Sequence, residues 1–167
     1  MLSIPSLPHA ILFGLIGLLV WAVVCDFTSL RIPNRLPLAV ALLFAAYAAS
    51  APGSVDWLGA LLMALIVFVL TTVLFHFRMM GGGDVKLMAA VALWAGPQGI
   101  VGFLLVTSVV GGLLALIAVT PLRFVFAEAA EALGGGKSVR GAFRGVVPYG
   151  IAIAAGGLFV ASSLLAA

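Results

Sequence analysis

Residues 57–77 read WLGALLMALIVFVLTTVLFHF, an apolar run in which no position carries Asp, Glu, Lys or Arg. At 1.5 Å rise per residue, a helix of that length crosses the hydrocarbon core of a bilayer, which takes about 20 apolar residues. Because the run is apolar on every helical face, it predicts a helix solvated by lipid or by other helices, not one lying on a soluble core. Five more apolar runs flank it: Ala10–Cys25, Leu36–Ser50, Val85–Ala95, Ile100–Pro121 and Val146–Ala167. Of 167 residues, 65% are hydrophobic and 8% are charged, where a soluble domain carries about 45–50% and about 25%. The sequence therefore predicts an all-α, polytopic integral membrane protein with about six transmembrane helices, forming a single domain over residues 1–167. Met1 to His9 contains no Lys or Arg, so the first run lacks the basic flank of a cleavable signal and reads as a retained span. The second and fourth runs are short for a core of about 30 Å and predict a water-accessible notch.

The basic residues are distributed in a pattern. Arg31 and Arg35 follow the first run, Arg78 and Lys86 the third, and Arg123, Lys137, Arg140 and Arg144 the fifth; the intervening connections have none. Basic connections stay on the cytoplasmic side, which predicts both termini outside and an even number of spans. The net charge of +3 reflects this topology and is too small to point to a nucleic-acid partner. Pro52 with Gly53, and Gly96 with Pro97, mark turns on the other face. Asn34 is positioned to cap the second helix, with Pro37 accommodated in its first turn. Residues 122–133 read as an amphipathic segment on the cytoplasmic surface. Cys25 is the only cysteine, which excludes an internal disulfide and a cysteine-built zinc site.

Among the few acidic residues, Asp26 directly follows the first run and Asp84 directly precedes the fourth. The charge pattern puts both on the cytoplasmic side, so helix ends at one depth could bring them together. Two adjacent carboxyls cannot both ionise cheaply and share a proton. Such a pair can hydrolyse a peptide without a metal, one member taking a proton from water while the other polarises the carbonyl. Gly81, Gly82 and Gly83 precede Asp84. Three glycines at a helix entrance predict positive φ or a close approach to the backbone. Lys86 supplies a compensating charge two residues on. Read on chemistry alone, each aspartate could equally cap a helix or sit at the interface.

The stretch Asp26-Phe27-Thr28-Ser29-Leu30-Arg31-Ile32-Pro33-Asn34 resembles the first signature of the prepilin (type IV leader) peptidases, and Gly81-Gly82-Gly83-Asp84-Val85-Lys86-Leu87 resembles the second, the Gly-x-Gly-Asp of intramembrane aspartyl proteases. The resemblance implies catalysis by Asp26 and Asp84, with Gly81, Gly83 and Lys86 on the substrate side, no metal and no organic cofactor. It also implies a pilin-like precursor as protein partner, and a place in the bacterial inner (cytoplasmic) membrane with the active site facing the cytoplasm. Long members of the family also methylate the new N-terminus and carry a zinc-binding insertion with paired cysteines. Here the first connection is short and Cys25 is alone, so the chain resembles the peptidase-only forms that serve tight-adherence (Flp-type) pili.

Two other classes compete with this reading. A small proton-coupled transporter would use lone carboxylates, but these normally lie near the bilayer midplane and often within repeated halves. In a non-catalytic assembly factor of a pilus or secretion system the aspartates would only cap helices. Gly136-Lys137-Ser138 ends like a phosphate-binding loop, yet Glu131 occupies the position of its first glycine. His76 reads as interfacial, and His9 falls on the opposite face. Glu128 and Glu131 balance nearby arginines, while Met79 and Met80 fill the third connection. Trp21, Trp57 and Trp94 read as interface anchors.

Overall fold

In lipid, every backbone N–H and C=O must be satisfied inside the protein, and helices do this residue by residue. The protein's structure, a computed structural model, describes residues 7–29, 31–50, 55–121 and 149–166 together with positions 125, 128 and 132. The described residues contain five helices and no strand: α1 Leu7–Ser29, α2 Arg35–Ser50, α3 Trp57–His76, α4 Gly82–Val119 and α5 Tyr149–Ala166. Four of them, α1, α3, α4 and α5, are long and apolar enough to cross a membrane; α2, at 16 residues, is shorter. Leu58, Leu61, Leu62, Leu65 and Leu70 of α3 are exposed. An apolar face of that extent is covered by a bilayer in a protein that works in one.

Helix α4 is two arms joined at a break. Gly96 adopts φ 55°, ψ −171°, and Pro97 follows it. Residues with a side chain are essentially excluded from that backbone conformation. The first arm starts beside Ile32, which faces Gly83. The second arm runs antiparallel to α5, with Gly102 against Phe159 at one end and Gly111 against Tyr149 and Ala152 at the other. Gly83 and Gly111 therefore lie toward one end of the bundle and Gly96 toward the other. Gly96→Ala is expected to destabilise the protein by about 1–3 kcal/mol. The check is thermal unfolding in detergent, and an unchanged midpoint would show that the turn imposes no strain.

Lipid tails are as apolar as leucine, so helices in a membrane are held by close packing at small residues. Helix α5 shows this. A Cβ on Gly157 would meet Leu19 of α1 and Val91 of α4 at 2.9 and 3.2 Å, and one on Gly156 would meet Phe103 of the second arm. These contacts set the register of α5 between α1 and α4, with its first residues at the Gly83 end.

Two expectations are corrected here. Trp94 is not an interface anchor: it is buried, its indole N–H donates to the Val40 carbonyl at 3.0 Å, and its ring packs against Phe44 and Tyr47. Trp21 and Trp57 are exposed. Asn34 does not cap α2, since its Oδ1 accepts from Lys86 Nζ at 2.9 Å and the Leu36 N–H is met by the Pro33 carbonyl. A cation is a stronger donor than a backbone amide, so the lysine takes the oxygen. The turn at Pro52 and Gly53, all of 122–133 except positions 125, 128 and 132, the Gly136–Ser138 stretch, Arg123, Glu131, Lys137, Arg140 and Arg144 lie outside the described residues.

Candidate active site

Helix α1 continues past the expected end at Cys25 to Ser29, so Asp26 sits inside its last turn. It faces inward and is 4% exposed. Asp84 lies in the first turn of α4, where Gly81 is the N-cap and makes no side-chain capping bond. From the third helical position the Asp84 carboxyl folds back toward Gly81, where a Cβ would stand 2.8 Å from its Oδ2. That is the placement of the acidic half of a capping box. Asp26 lies within electrostatic reach of the Asp84 carboxyl, and Ile32 packs against both Gly83, next to Asp84, and Gly150, next to Asp26.

The glycines before Asp84 are explained by close approach. Gly81 has φ −74°, in the extended region open to any residue, and Gly96 is the glycine with positive φ among the described residues. A Cβ on Gly81 would stand 2.8 Å from Asp84 Oδ2, one on Gly82 3.3 Å from the Phe75 ring, and one on Gly83 3.0 Å from both the Cβ and the carbonyl oxygen of Ile32. The Ile32 side chain is buried and also reaches Gly150 at the start of α5, where a Cβ would lie 2.8 Å from Ile32 Cδ1. Ile32 is thus a wedge between the segment carrying Asp84 and the helix that covers Asp26.

Lys86 is held by Asn34, which ties the Ile32-Pro33-Asn34 loop to the helix carrying Asp84. Both residues stand at the Asp84 end of an open groove of about 550 Å³ between α2, α3 and α4, floored by Ala41, Leu61, Phe68 and Ala89. His76 is exposed at the end of α3 and stacks edge-on against Phe77.

The site also contains residues that sequence reading missed. The backbone N–H groups of Gly150 and Ile151 face the Asp26 carboxylate, and a Cβ on Gly150 would lie 2.8 Å from Asp26 Oδ2 and 2.9 Å from its Cγ. In the sequence Gly150 is one of 20 glycines, and nothing adjacent to it marks a site.

A model of the type IV leader peptidase family matches residues 13–116. The chain belongs to the type IV leader peptidase family. No match to a curated protein or a solved structure accompanies it. This leader peptidase is therefore a membrane-associated protease. The matched region holds both aspartates, the three glycines and Lys86, while α5, which covers Asp26, lies beyond it.

Proposed function

We propose that the protein is an aspartyl endopeptidase that removes the leader of pilin-like precursors, using Asp26 and Asp84 to activate water. The observation that supports this reading is that two carboxyls, far apart in sequence, lie within electrostatic reach of each other at one end of a lipid-solvated bundle. One carboxylate takes a proton from water as it attacks the scissile carbonyl, and the other, protonated, donates to the carbonyl oxygen. Gly81 leaves room for the Asp84 carboxyl and Gly83 for the close approach of Ile32, so on the substrate side these two glycines act by setting how Asp84 is presented. Lys86, its ammonium fixed by Asn34, faces the substrate from the mouth of the groove. The apolar walls of that groove offer a lateral path for the hydrophobic segment of a precursor.

In this reading the chain crosses the bacterial inner membrane six times, the two arms of α4 counting separately and α2 making a short crossing. The basic connections place the aspartates at the cytoplasmic face. The protein cleaves without methylating the new N-terminus, since Cys25 is its single cysteine and the first connection leaves no space for a zinc-binding insertion.

The test is incubation of the purified protein in detergent with a pilin precursor and a methyl donor, with and without a metal chelator. The expected result is one cut at the leader junction, at the same rate in both samples, and a product mass without an added methyl group. A rate that collapses with chelator would replace the dyad by metal chemistry. Proton flux in vesicles without any cleavage would favour a transporter.

A further inference from the structure

We infer that Gly150 is a positioning residue for Asp26, and that the start of α5 closes over this carboxyl and fixes the direction in which it points. The inference rests on the reading of Asp26 as catalytic and adds a third helix, outside the region matched to the family, to the machinery. Two independent observations support it. The amides of Gly150 and Ile151, in the first turn of α5, face the carboxylate, where a helix has unpaired N–H groups and the positive end of its dipole. In addition, Asp26 is 4% exposed and its Oδ2 makes no hydrogen bond. A buried carboxylate oxygen without a partner is costly, and here it lies against the backbone of Gly150.

Only glycine allows that approach. A methyl group at position 150 would stand 2.8 Å from Oδ2, 2.9 Å from Cγ and 2.8 Å from Ile32 Cδ1. The Ile32 contact is with the far end of a flexible side chain and can yield. The Asp26 contact cannot yield without turning the carboxyl, because the side chain is short and enclosed. Helix α5 cannot easily withdraw either, since Gly156 and Gly157 lock it against Phe103, Leu19 and Val91. The geometry assigns Gly150 a role in aiming one oxygen of Asp26 toward Asp84 and the substrate, with the first turn of α5 closing over the carboxyl.

The test compares purified Gly150→Ala with wild type in steady-state cleavage of a pilin precursor. The expected result is a fall in kcat of about tenfold, as a sub-ångström displacement of a reacting group gives, with KM unchanged within twofold. Gly17→Ala, where a Cβ would meet nothing within 4 Å, serves as the control and cleaves at the wild-type rate. Ile32→Ala added to Gly150→Ala removes the apolar collision and leaves the one with Asp26, so kcat stays low. Recovery of kcat in that double variant would overturn the inference in favour of simple packing, as would a wild-type kcat in Gly150→Ala. If Gly150→Ala does not accumulate in membranes, Gly150→Ala with Asp26→Ala is expected to accumulate because the obstructing carboxyl is gone, and failure of that pair also overturns the inference. Asp26→Asn separates the two levels: full activity in that variant refutes the catalytic reading itself, whereas an inactive Asp26→Asn beside a fully active Gly150→Ala refutes only the role of Gly150.

Discussion

Asp84→Asn, and separately Asp26→Asn, is expected to slow leader removal by about 10²–10⁴-fold, the range that positioned acid–base groups supply. Asparagine keeps the shape of aspartate but can neither take a proton from water nor hold the one that the partner carboxyl shares. Since the two carboxyls act as a unit, the double variant should be hardly slower than either single one. Asparagine fits the space beside Gly81 that the Asp84 carboxyl occupies, so the Asp84 variant should insert and fold normally. Single-turnover cleavage with purified protein, together with a membrane-fraction assay, separates lost chemistry from lost folding. Either single variant cutting at the wild-type rate would falsify the dyad and leave the aspartates as helix-end residues of an assembly factor.

Gly83→Ala carries the next largest effect. Its new methyl would lie 3.0 Å from the Ile32 carbonyl oxygen and 3.0 Å from the Ile32 Cβ. Ile32 precedes Pro33, which restricts its backbone to extended conformations, so the loop has little freedom to withdraw. The first turn of α4 must move instead, and it carries Asp84. A fall in kcat of about 10²-fold is expected for a displacement approaching an ångström, with a loss of stability of about 1–3 kcal/mol for overpacking a tight contact. Gly82→Ala provides the comparison, because its methyl would meet only the Phe75 ring at 3.3 Å, a side chain that can rotate aside. Equal losses in the two variants, read by cleavage kinetics and thermal unfolding, would show that the Ile32 approach has no special role.

What the sequence reveals and what it hides follow from lipid as the solvent. Helices α1, α2, α3 and α5 and both arms of α4 are legible as apolar runs, and the break at Gly96 and Pro97 is legible as turn chemistry. Asp26 and Asp84 stood out because so few charged residues occur beside the spans. Which face of each helix turns inward was not legible, since a lipid-facing side chain and a core side chain are equally apolar. Trp94 was accordingly read as an anchor although it lies buried against Phe44 and Tyr47. Asn34 was read as a cap because local sequence gives no sign of a cation arriving from another helix. Gly150 was missed because its neighbour is a carboxyl carried by α1, at the far end of the chain.

Two hydrogen bonds tie α2 and the loop before it to the first arm of α4: Lys86 to Asn34 near Asp84, and Trp94, at the other end of that arm, to the Val40 carbonyl. Held at two points, that pair should travel as a single plate, carrying Asp84 with it. The α1–α5 side, joined internally through Gly157 and Leu19, forms the opposing jaw around Asp26. Any opening that admits a polypeptide between the two acids must then part the greasy joint where plate meets jaw, which close contacts such as Gly157 on Val91 hold shut.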